Sequence, residues 1–92
     1  LEAQPSRIAV IGIIVEDPGS VEKLNATLHQ YSAYILGRMG IPYREKNISI
    51  ISIVMDAPAN EISALSGKLG MMPGVSTKTV YSKISSDPGK GA

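Results

Sequence analysis

Two short runs in this chain are apolar at both parities, and they narrow the available folds more than any other feature. Arg7–Val15 (RIAVIGIIV) puts Ile8, Val10 and Ile14 on one parity and Ala9, Ile11, Ile13 and Val15 on the other. Ile48–Met55 carries Ile48, Ile50, Ile51, Ile53, Val54 and Met55. Both runs are short and rich in β-branched residues, which marks them as strands rather than buried helices. A strand with no wet face belongs in the middle of a sheet covered on both sides. The stretch Tyr34–Ala57 around the second run reads as a hairpin, with a charged tip at Arg44-Glu45-Lys46-Asn47.

The remaining elements follow from local signals. Asp17 can cap a helix that Pro18 opens, and Glu22 favours the positive end of its dipole. Val21, Leu24, Leu28, Tyr31 and Ile35 recur at spacings of three and four, one helical stripe that Gly37 and Gly40 are expected to end. The segment from Leu36 to Tyr43 is a weaker strand, and Pro42 confines it to a sheet edge because it has no amide donor. Asp56-Ala57-Pro58 is read as the start of a second helix with a buried stripe of Ile62, Leu65, Leu69 and Met72. Gly70, Pro73 and Gly74 close it. Val75–Ile84 mixes Thr, Lys and Ser with Val and Tyr, as a lysine-blunted edge strand does.

The order is βαββαβ, an α+β ferredoxin-like sandwich: a four-stranded antiparallel sheet of order 4-1-3-2 with two helices on one face. That order makes the two doubly apolar runs central and the two weak strands edges, so four strand characters agree with one topology. The predicted domain spans residues 7–84, with flexible termini at 1–6 and 85–92. Two helices cover only one sheet face. The aliphatic residues on the other face predict a homo-oligomer, a homodimer or homotetramer, because large apolar patches mark interfaces. The alternative is a monomer whose N-terminal arm or C-terminal tail folds over the sheet.

Composition excludes several functions. The 92 residues hold nine basic and eight acidic side chains, so the net charge of +1 gives no field that would draw the domain onto DNA or a membrane. Cysteine is absent, which removes disulfides, thiolate metal sites and cysteine nucleophiles. No apolar run approaches 18 residues, and a cytoplasmic protein is the expectation. No nucleophile–base pair or paired-carboxylate constellation is visible, so no enzyme and no cofactor are expected.

Three places are candidates for binding. The turn Asp17-Pro18-Gly19-Ser20 puts amides at a helix N-terminus after a central strand, where a carboxylate or phosphate fits. Its ordinary role is simply to start a helix. Arg38, between Gly37 and Gly40, sets a guanidinium beside bare backbone that a ligand can approach closely. Arg44 and Lys46 belong to a solvated hairpin tip. His29 is the only histidine, a weak metal candidate because one imidazole without cysteine cannot build a tetrahedral site. The four tyrosines form no aromatic–basic surface for single-stranded nucleic acid.

The run from Ile35 to Val80 resembles the iron-only hydrogenase system regulators. Arg38, Gly40 and Pro42 match an Arg-x-Gly-x-Pro edge strand in that family, and Arg44 and Glu45 match its turn. Ala64–Gly70 matches its Ala-Leu-Ser-Gly-Lys-Leu-Gly run, and Gly74, Val75, Lys78 and Thr79 match the strand that follows. The resemblance spans about residues 7–84. It implies an ACT-like domain similar to the C-terminal effector domain of the nickel-responsive repressor. That repressor domain uses several histidines and a cysteine, so its metal site does not carry over to this chain. No ribbon-helix-helix or helix-turn-helix segment is present, and direct DNA binding is not expected.

The expected function is a transcriptional or maturation regulator of an iron-only hydrogenase system. It would sense a small amino-acid-like effector at a subunit interface. By resemblance to ACT domains the effector site lies near Asp17, Gly19, Ser20, Arg38 and Gly40. The alternative is a ligand-free assembly or adaptor module that engages a DNA-binding or hydrogenase-maturation protein.

Overall fold

A computed structural model of the chain describes residues 5–83. Of the expected termini, residues 1–4 and 85–92 lie outside the described residues, as does the end of the expected last strand at Ile84. Ser6, expected in the flexible N-terminal segment, is instead the first residue of the first strand, paired with Pro58. The elements are strand β1 (Ser6–Val15), helix α1 (Val21–Gln30), strands β2 (Ile35–Tyr43) and β3 (Ile48–Pro58), helix α2 (Ala59–Gly70) and strand β4 (Val75–Tyr81). The sheet runs β2-β3-β1-β4, the expected order written in reverse, and all three pairings are antiparallel. Pro42 falls on edge strand β2 and Lys78 on edge strand β4, so both edge assignments hold.

Strand alternation sorts the central residues between the two faces. Ala9, Ile11, Ile13 and Val15 of β1 and Ile51, Ile53, Met55 and Ala57 of β3 point toward the helices and are buried. Leu24 and Leu28 of α1 and Ile62, Leu65 and Leu69 of α2 close over them in one core. The opposite parity is only half-covered: Ile8, Val10, Ile14 and Ile50 stay 37–44% exposed. Covering on both sides is therefore not achieved by the described residues.

Three local readings are corrected. The α1 stripe does not run as a single helix to Ile35, and Gly37 and Gly40 do not end it. The helix stops at Gln30, and a 3-10 turn at Ser32–Tyr34 carries the chain into β2. Ile35 must already be extended to pair with Met55. The tighter turn still keeps Tyr31 buried and packs Ile35 against the core, so the stripe is preserved while the helix is not. Asp56 does not start α2. It lies inside β3, opposite Ile8, on the face away from the helices. Pro58 occupies the cap position of α2 with no side-chain hydrogen bond there. Finally, β4 ends at Tyr81, where the Arg7 guanidinium stacks on the Tyr81 ring at 4.5 Å from its centroid.

Candidate functional site

The edge strand β2 extends beyond the cover of the helices and leaves a groove between itself and α1. Pairing fixes which residues face it. Arg38 lies opposite Ile53 and Gly40 opposite Ile51, so both share the helix side of the sheet. Gly37 pairs with Val54 and falls on the other side, after an irregularity in the ladder between Ile35 and Gly37. The bare backbone beside Arg38 is therefore that of Gly40. A Cβ at Gly40 would sit 3.9 Å from Ile51 Cγ1, an ordinary contact. The fold does not need glycine there; its absence of a side chain deepens the groove.

Across the groove, α1 presents Val21, Asn25 and His29 at successive spacings of four, one row along the helix. Arg38 Nη2 donates to Asn25 Oδ1 at 3.0 Å and bridges the groove near its middle. On one side of this bridge lies a hollow of about 350 Å³ lined by Leu28, His29, Ser32 and Ile35. On the other lies one of about 250 Å³ lined by Val21, Gly40, Pro42, Ser49 and Ile51. The ionisable side chains lining both hollows are Arg38 and His29, with no acid among them. An open, positively charged groove with apolar stretches on either side of a guanidinium can hold an anion and an attached carbon skeleton.

The Asp17-Pro18-Gly19-Ser20 turn lines neither hollow, although Val21 directly after it lines the smaller one. Asp17 Oδ1 accepts from the Gly19 amide at 2.9 Å, and Asp17 O accepts from the Ser20 amide at 2.9 Å. Buried Ser20 donates its hydroxyl to Pro73 O at 2.6 Å, and Glu16 N–H donates to Gly74 O at 2.7 Å. These bonds tie the turn to the one between α2 and β4. The amides that the sequence offered to an anion are thus engaged with Asp17. Of the five residues expected to bind an effector, Arg38 and Gly40 come together, while Asp17, Gly19 and Ser20 form a separate structural knot.

Asn25, which holds the guanidinium, was not singled out in the sequence. Its position four residues from both Val21 and His29 was visible, but which strand that row faces was not. Among the described residues no three His, Cys, Asp or Glu side chains gather in one place, and no helix is long and apolar enough to cross a membrane.

A second surface feature is the face of the sheet away from the helices. Along with Ile8, Val10, Ile14 and Ile50 it exposes Met39, Ile41 and Val80, the last three 54–68% exposed. A shallow apolar depression of about 430 Å³ lies in it, lined by the cross-strand pair Ile14–Ile50, the small pair Gly12–Ser52 beside it, and Ser76.

Comparison with known proteins places this architecture. No curated protein matches the chain. The C-terminal domain of the MgtC protein from Mycobacterium tuberculosis superposes with a TM-score of 0.64 over 89% of this chain and 94% of that one. At 16% identity, that likeness is one of fold. The structure of the uncharacterized protein TM1266 from Thermotoga maritima is 40% identical, with a TM-score of 0.81 over 85% of this chain and 99% of that one. Residues 7–79 match the family model TM1266-like, described as "Iron-only hydrogenase system regulator, putative". On the extent of that match and the identity to TM1266, this chain belongs to the TM1266-like family.

Proposed function

We propose that this protein is a regulatory module of an iron-only hydrogenase system. In this reading it self-associates through the open sheet face and senses a small organic anion in the groove between α1 and β2. The observation that carries the sensing part is the Arg38 bridge: a guanidinium held by Asn25 over the bare backbone of Gly40, in a groove lined by no acid. An arginine so placed is pre-oriented, and it keeps free N–H donors for a carboxylate or phosphate. The family description supports the regulatory part of the reading.

Thermal denaturation tests it, with amino acids, dicarboxylates and inorganic phosphate as probes. A ligand L stabilises by RT ln(1 + [L]/Kd), so a probe at one hundred times its Kd contributes about 2.7 kcal/mol and a clear rise in Tm. Arg38→Ala is expected to abolish the rise with little change in the Tm of the unliganded protein. No shift with any anion sinks the sensing function. A second reading, a ligand-free adaptor, is favoured by the apolar sheet face itself, and it predicts self-association without any ligand response.

A further inference from the structure

The open sheet face is mostly apolar and, among the described strand residues, carries only two charges, whose placement points to a specific partner. Among the described strand residues of this parity the charged side chains are Asp56 on β3 and Lys78 on β4. Asp56 is half-buried on this face, and its Oδ1, enclosed by its own chain, has no hydrogen-bond partner, which is costly for a carboxylate oxygen. Lys78 is exposed. Within one chain the two cannot meet, because they flank β1 on opposite sides. Asp56 pairs with Ile8 and Lys78 with Gly12, each two residues from Val10 in opposite directions. At ordinary strand spacings that puts them roughly 16 Å apart, with Val10 midway.

We infer that the occupant of this face is a second copy of this chain, stacked sheet to sheet about a two-fold axis passing over Val10. An axis lying in the interface and perpendicular to the line from Asp56 to Lys78 exchanges the two positions. Each carboxylate then faces the second copy's ammonium, and the pair is made twice. Isologous interfaces build such reciprocal contacts from a single acid and a single base. The apolar side chains supply the association, and the two ion pairs fix its register, as charges in an interface commonly do. This inference rests on the self-association proposed above and adds its geometry.

The absence of cysteine makes the geometry directly testable. Val10→Cys introduces one thiol at the axis, and mild oxidation is expected to convert it to a disulfide-linked dimer on denaturing gels. Met71→Cys, 86% exposed in the turn after α2, is the control expected to stay largely monomeric. In parallel, light scattering behind a sizing column measures association of Asp56→Lys, Lys78→Asp and the double variant. Each single change sets like charges against each other and is expected to weaken self-association tenfold or more, while the double variant restores it. Circular dichroism on the same samples confirms that each variant is folded. A native oligomer with no Val10→Cys cross-link and no recovery in the double variant overturns the Asp56–Lys78 register but leaves self-association standing. A monomer at every concentration overturns both.

Discussion

The contact between Gly74 and Asp17 offers a sharp test of how the two halves of the chain are joined. Gly74 has φ of +67°, a left-handed conformation that costs a residue with a side chain about 1–2 kcal/mol. A Cβ built there would lie 2.6 Å from Asp17 Cβ and 2.8 Å from Asp17 N, well inside contact distance and partly against backbone. In Gly74→Ala the Asp17 turn must therefore move away. Two hydrogen bonds cross this junction, Glu16 N–H to Gly74 O and Ser20 Oγ–H to Pro73 O. Weakening them costs up to about 1 kcal/mol each. The sum is at most about 3–4 kcal/mol when both bonds are lost, a large share of the roughly 5–14 kcal/mol that holds a domain of this size together.

Urea denaturation followed by far-ultraviolet circular dichroism, at one fixed protein concentration, measures the loss. With a slope near 1.5 kcal/mol per molar, the midpoint is expected to fall by about 1 M, and by about 2 M or more if both bonds are lost, without a change in slope. Gly67→Ala is the companion variant, because a Cβ at that exposed helical position meets nothing within 4 Å. It is expected to stabilise by about 1 kcal/mol through helix propensity. A loss below 1 kcal/mol for Gly74→Ala would refute the reasoning, since it would mean the junction gives way freely.

Other substitutions follow from the same geometry. Ile53→Ala removes a fully buried side chain from the centre of β3 and is expected to cost about 3–4 kcal/mol in the same urea titration. Gly40→Val places a β-branched side chain 3.9 Å or more from Ile51 at its first carbon, so stability is expected to stay within about 1 kcal/mol of the native value. The same substitution fills the groove beside Arg38, and any anion-dependent rise in Tm is expected to shrink or vanish.

The fold was legible because its central strands announce themselves at both parities, and β2-β3-β1-β4 puts both of them inside while keeping β2 and β3 paired as a hairpin. Boundaries were harder. Asp56 beside Pro58 has the composition of a helix start, but ten consecutive pairs with β1 extend β3 as far as Pro58 and absorb it into the strand. Similarly, Tyr31 and Ile35 keep a helical spacing although a 3-10 turn separates them. The site was legible only in part. Arg38 beside glycine could be seen in the sequence, but its tie to Asn25 joins a helix to a strand thirteen residues later, a distance no local pattern encodes. The Asp17 turn looked open in sequence because its hydrogen-bond partners at Pro73 and Gly74 come more than fifty residues later.

The place of β1 in the sheet also governs the order in which the molecule can assemble. It leaves the ribosome before the other strands of the sheet, yet its partners are β3, ending at Pro58, and β4, ending at Tyr81. Its most apolar residues must wait for most of the chain to be synthesised before any of them is paired. The β2–β3 hairpin, closed by Asn47 in a left-handed turn, brings its strands together across only a few residues. Loop closure is least costly there, so this hairpin is the natural nucleus, and β1 docks onto it afterwards. An unpaired, sticky first strand is thus exposed during synthesis, and the helix that follows it, α1, is the first element available to shield it.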